Sequence, residues 1–131
     1  MPQEKIITVH RRKIKVDSGI ADIIDRLNSK CGVVTQVSCS GLKKDHGRSE
    51  APYICFEGTS QKLTEAIRKA GWKARKSDNV TCADLYKLKL YWTDKDFDRQ
   101  VKSDKAVRTS WENLEGKICR EGCTNGRRIK K

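Results

Sequence analysis

The sequence predicts an α+β fold: a two-layer sandwich of ferredoxin-like character, its sheet mostly antiparallel and its helices on one face. Three observations lead there. Short segments rich in β-branched residues occur in neighbouring pairs. Two compact apolar stripes of helical period separate those pairs. The resulting order is strand, helix, strand, strand, helix, strand, strand, helix. A single domain is expected over residues 1–119, followed by a basic mobile tail over 120–131.

The elements follow in order. Between Lys5 and Val16, apolar residues alternate at Ile7 and Val9, then at Ile14 and Val16. This pattern predicts a strand interrupted near Arg11-Arg12, or a short hairpin. Asp17 and Ser18 are capping candidates for a helix whose stripe is Ile20, Ile23, Ile24 and Leu27, with Asp22 and Asp25 on its other side and Gly32 as its stop. Val33 to Cys39 reads as a strand ending at Ser40-Gly41. A polar loop from Leu42 to Ala51 leads to Pro52 and a second strand over 53–56. Those two strands are expected to pair antiparallel. Ser60 caps a second helix with the stripe Leu63, Ala66, Ile67 and Ala70, ended by Gly71. A strand over 72–75 and a turn at Ser77-Asp78-Asn79 follow. Tyr86, Leu88, Leu90 and Trp92 then alternate with Lys87, Lys89 and Tyr91, as in a strand with one apolar and one basic face. Thr93 and Asp96 resemble a capping box, and Val107, Trp111, Leu114 and Ile118 have the spacing of a docked helix.

Charge narrows the partners. The net charge is +12, and three stretches, 5–15, 62–76 and 116–131, each carry +5 while the rest of the chain carries −3. Clustered positive charge attracts polyanions and releases their counterions on binding. The expected partner is nucleic acid, RNA in particular. Arg68, Lys69, Lys73, Arg75 and Lys76 form the leading contact set, with Lys87 and Lys89 extending the stripe and Trp72 and Tyr91 as stacking candidates. Aromatic residues make up only 6% of the chain, too few for a broad base-stacking platform. No apolar run reaches the roughly 18 residues of a membrane-spanning helix, so no membrane partner is expected. Without a signal-peptide pattern at the N-terminus, the expected location is cytoplasmic and the six cysteines are expected as reduced thiols, Cys39 and Cys55 as small core residues.

One turn carries the residue types of a reactive or ligand-binding site. Ser38-Cys39-Ser40-Gly41 ends a strand, offers two hydroxyls and a thiol, and has a glycine for a sharp turn. Asp45 and His46 follow closely. Cys39 and His46 are the candidate catalytic pair, and Ser38, Ser40, Gly41 and Asp45 are the candidate ligand contacts. Against this stands a tight turn with a buried thiol and a surface histidine. Cys119 and Cys123 have the spacing of half a zinc site, or of a local disulfide, but no second pair completes a metal pattern, so no metal is assigned. No Walker loop, dinucleotide fingerprint, HExxH helix or GxSxG elbow is present. No cofactor is assigned.

Residues 16–41 resemble the opening of the methyltransferase family of tRNA wybutosine biosynthesis, through Val16, Asp17, Leu27, Asn28, Thr35, Ser38, Cys39, Ser40 and Gly41. The family's Ser-Cys-Ser-Gly is commonly followed by Arg, where this chain has Leu42. Residues 14–57 are also similar to small prokaryotic and viral proteins that share a VDxGIA helix, an SCxG strand end and a YIxF strand. The first resemblance implies a shared fold unit and a tRNA-modification setting, and the second implies no activity. The expected function is therefore RNA binding in relation to tRNA modification. The alternatives are a small-ligand or enzymatic domain using the Ser38–Gly41 turn, and a protein-interaction module without catalysis.

Overall fold

The computed structural model describes residues 3–42, 45, 52–85 and 97–121. Strands β1 (Glu4–Val9) and β2 (Arg12–Asp17) form an antiparallel hairpin, which resolves the interruption near Arg11. His10 and Arg11 make its two-residue loop, both with positive φ. That conformation suits the right-handed twist of the flanking strands, although glycine or asparagine adopts it more cheaply. A single 3-10 turn, Ser18–Ile20, leads into α1 (Ala21–Lys30). Its whole expected stripe is buried, and Gly32 turns the chain with φ 76°.

The main sheet contains β3 (Thr35–Cys39), β4 (Tyr53–Glu57), β5 (Lys73–Ser77) and β6 (Val80–Asp84) in the spatial order β3-β4-β6-β5, every neighbouring pair antiparallel. Helix α2 (Gln61–Lys69) connects β4 to β5. Because β6 lies between those two strands and opposes both, β4 and β5 are parallel, and β4-α2-β5 is a split βαβ unit. Strand β2 pairs with β1, so a second split unit of the ferredoxin-like kind is not among the described pairings.

Strand β6 departs from the sequence reading, which expects the fourth strand at 86–92. That stretch lies outside the described residues. Residues 80–84 escaped detection because four of the five are buried, so no apolar alternation marks them. The turn before β6 is where the sequence places it, with Asp78 at φ 51°.

Helix α3 (Phe97–Glu121) is 25 residues long. Its stripe of Val107, Trp111, Leu114 and Ile118 is fully buried and joins one core with α1, α2 and the inward residues Ile54, Phe56 and Ala83. All three helices therefore share one face of the sheet. Tyr53, Cys55 and Glu57 on β4, and Cys82 and Asp84 on β6, point to the other face.

Trp111 anchors this arrangement. Its ring meets Trp72 edge-to-face at 4.9 Å, and Trp72 Nε1 donates to the Ser110 carbonyl at 3.2 Å. Two charged clips tie α1 to α3: Arg26 to Glu115, and Arg108 to Asp22, each through two hydrogen bonds. Two cysteine pairs are bonded, Cys31–Cys119 between the end of α1 and α3, and Cys55–Cys82 across β4 and β6. Four of the thiols expected to be reduced are thus paired, because the fold brings residues distant in sequence face to face. Cys119 pairs with Cys31, not Cys123, which lies outside the described residues. Among the described residues, no helix is long and apolar enough to cross a membrane.

Candidate functional site

The Ser38–Gly41 turn is a buried knot. Ser40 and Asp45 are both 0% exposed, and Gly41 and Leu42 are buried with them. The Ser40 amide donates to Asp17 Oδ2 at 2.7 Å, its hydroxyl donates to Asp45 Oδ2 at 2.7 Å, and its carbonyl accepts from Trp111 Nε1 at 2.9 Å. The Leu42 amide donates to the Ser40 hydroxyl at 3.1 Å. Gly41 has φ 73°, the left-handed conformation that glycine reaches without steric cost.

Asp45 is the other centre of this knot. Its carboxylate accepts from the Gly19 amide at 3.1 Å to both oxygens and from the Ser18 hydroxyl at 3.0 Å. The Asp45 carbonyl accepts from the Gln3 amide at 2.8 Å. A remote carboxylate thus sits at the start of the first helical segment, where amides converge and negative charge is favoured. The sequence reading gave the capping role to Asp17 and Ser18. Neither side chain caps directly: Asp17 holds Ser40, and Ser18 donates to Asp45. Of the candidate ligand contacts, Ser40 and Asp45 spend their hydrogen-bonding groups in joining the hairpin, α1, β3 and α3.

Four of the motif positions of residues 16–41 make buried hydrogen bonds between segments. Asn28, buried in α1, donates to Thr35 Oγ1 at 3.0 Å and accepts from the Thr35 amide at 3.0 Å. Asp17 and Ser40 form the second tie. These residues fasten helix to strand, which gives the pattern a physical meaning as a fold unit. Ser38 is half-buried opposite Ile54, and Cys39 is a buried thiol opposite Tyr53. His46 lies outside the described residues, so the geometry of the candidate catalytic pair does too.

The basic set comes together at the opposite edge of the sheet. Helix α2 packs against β5, the edge strand. Lys62, Arg68 and Lys69 are exposed on the helix, and β5 carries exposed Lys76 on the helix side and exposed Lys73 and Arg75 on the opposite face, as partners of Asp84 and Cys82. Arg75 makes two hydrogen bonds to Asp84, at 2.5 and 3.1 Å. Lys69 binds Glu121 at 2.8 Å, and that carboxylate, which also faces Lys117, is held below the usual range mainly by its hydrogen bond to Lys69. Among the described residues, Lys62, Arg68 and Lys76 make no ion pair. Trp72 is not a stacking residue: it is buried against Trp111. Lys87, Lys89 and Tyr91 lie outside the described residues.

One neighbouring feature was not legible as part of this surface. A shallow groove of about 280 Å³ runs between the end of α2 and α3, lined by Lys69, Glu112, Asn113, Gly116, Lys117 and Arg120. It joins the second and third basic stretches of the sequence, which lie some fifty residues apart. The signal was the helical spacing of Lys117 and Arg120 beside the apolar stripe of α3. The first basic stretch stays separate. The hairpin lies against β3, at the other edge of the sheet, and its outward face carries Lys13 and Lys15 beside Ile6, which is 65% exposed. Arg12 there faces Glu57 at 3.8 Å.

Among the described residues, no group of three His, Cys, Asp or Glu side chains is placed to hold a metal ion. Searches against protein-family models, curated proteins and solved structures find no match for this chain.

Proposed function

We propose that this protein binds RNA, with its main contact surface on the exposed side of α2, the β5 edge and the adjoining groove of α3. The observation that carries this reading is the run of exposed basic residues along the sheet's β5 edge: Lys62, Arg68 and Lys69 on α2 and Lys76 on the helix side of β5, with Lys73 and Arg75 continuing it around the edge onto the other face. Arg75 is hydrogen-bonded to Asp84 and Lys69 to Glu121, while Lys62, Arg68 and Lys76 make no ion pair among the described residues. Side chains of this kind contact phosphates and fix a nucleic acid in place without reading its sequence. The small aromatic share and the burial of Trp72 favour backbone contacts over stacking. Transfer RNA is the RNA of choice because residues 16–41 resemble a tRNA-modifying family.

Filter binding to tRNA across a salt series tests it. Binding is expected at about 50 mM salt and weakens steeply on going to about 200 mM, with a log–log slope of about −3 for three to four phosphate contacts. Absence of binding at the lower salt concentration overturns the reading, because phosphate contacts are strongest there.

A further inference from the structure

We propose that Cys55 and Cys82 form a redox-active pair that exchanges with small thiols of the glutathione class while the fold stays intact. This goes beyond RNA binding and does not depend on it. Cys55 and Cys82 are direct Cα partners on adjacent strands, with their Cα atoms 4.1 Å apart. Both point to the sheet face away from the helices; Cys55 is partly exposed there and Cys82 is buried beside it. A small thiol can therefore reach one sulfur without passing through the core.

The strand pairing makes the reaction reversible. Ile54 pairs with Ala83 on one side of the bond and Phe56 pairs with Thr81 on the other. This ladder keeps both sulfurs face to face after reduction, so neither direction requires the backbone to rearrange. Arg75 is the Cα partner of Cys82 on β5, and its guanidinium is hydrogen-bonded to Asp84 on the same sheet face. Cys31–Cys119 differs in what it joins, since each pair has one buried and one partly exposed cysteine. Its bond ties the end of α1 to the last turns of α3 across 88 residues, with no strand ladder on either side to hold the two sulfurs in register after reduction, which fits a structural link.

The exchange balances as follows. A thiolate of the small thiol attacks the Cys55 sulfur, and the Cys55–Cys82 bond breaks. A mixed disulfide forms on Cys55, and Cys82 leaves as a thiolate that takes up a proton. A second small thiolate attacks the sulfur of the small thiol in the mixed disulfide. This releases Cys55 as a thiol and the oxidised small-molecule disulfide. The protein gains two electrons and two protons, and two small thiols lose them.

The test uses the full chain, oxidised and then titrated with reduced glutathione or dithiothreitol. Free thiols are alkylated, located by peptide mass spectrometry, and compared with far-UV circular dichroism of the same samples. Cys55 and Cys82 are expected to become labelled at about one-tenth of the reductant needed for Cys31 and Cys119. The dichroism spectrum should be unchanged, and oxidised glutathione should restore the bond. Labelling of Cys31 and Cys119 first, labelling of all four only as the spectrum collapses, or failure to re-form the bond each overturns the proposal. A Cys31→Ser/Cys119→Ser double variant isolates the remaining pair. If that variant does not fold, the titration of the unmodified chain still decides the matter.

Discussion

A serine hydroxyl, a strand-end glycine and a nearby aspartate are the same residues whether a site binds a ligand or holds a fold together. Burial separates the two readings here. Ser40 and Asp45 are fully enclosed, and each has several partners within the protein. A buried carboxylate is tolerated where hydrogen bonds meet its oxygens, and the Gly19 amide with the Ser18 and Ser40 hydroxyls does so. Replacing Asp45 with Ala strands those donors, and the expected loss is about 3 kcal/mol of unfolding free energy. Asp45→Asn keeps the shape and one acceptor, so it should cost less than Asp45→Ala. Urea denaturation of the two variants measures the difference, and equal stability of Asp45→Ala and the unmodified protein would remove the structural role assigned to this residue. The cysteines and Asp45 also show why residues alone were not enough. Which cysteine meets which, and which polar group turns inward, depends on contacts between residues 27 to 88 positions apart.

Helices were legible where one stripe repeats at their period, as in α1, α2 and the docked half of α3. Strand β6 was not, because a strand covered on both faces loses its alternation. The packing of α3 against α1 was legible only as an apolar stripe, and the charged clips beside that stripe were not. One of them carries a pH dependence. The Asp22 carboxyl is held below its ordinary 3.8, chiefly by its hydrogen bond to Arg108. Its lowered folded value means that the clip stabilises the protein above the unfolded value and is lost as pH falls through the folded one. Asp22 is half-exposed to solvent, with 51% of its side chain accessible, so screening keeps the contribution below about 1 kcal/mol. Urea denaturation at neutral pH should show Asp22→Asn slightly less stable than the unmodified protein, and that difference should shrink and then vanish as the pH falls below the ordinary carboxylate range. A difference that grows on acidification would mean that the Arg108 clip does not act through the charge of Asp22.

At the scale of the whole molecule, composition gave the amount of positive charge and folding decided where it acts. The first basic stretch goes to the hairpin beside β3, and the second goes to α2 and the β5 edge at the far side of the sheet. That separation makes location testable apart from total charge. Lys13→Glu/Lys15→Glu on the hairpin and Arg68→Glu/Lys76→Glu at the β5 edge change the net charge by the same four units. All four side chains are exposed, so both variants should fold, which circular dichroism checks first. If RNA is held at the β5 edge, Arg68→Glu/Lys76→Glu weakens tRNA binding by about tenfold or more and lowers the salt slope by about two. Lys13→Glu/Lys15→Glu then costs only the smaller, long-range share of the attraction, which salt screens over about 10 Å. Equal losses in the two variants would mean that the protein attracts RNA through its overall charge, with no preferred face. A larger loss in the hairpin variant would move the contact surface to the β3 side, beside exposed Ile6.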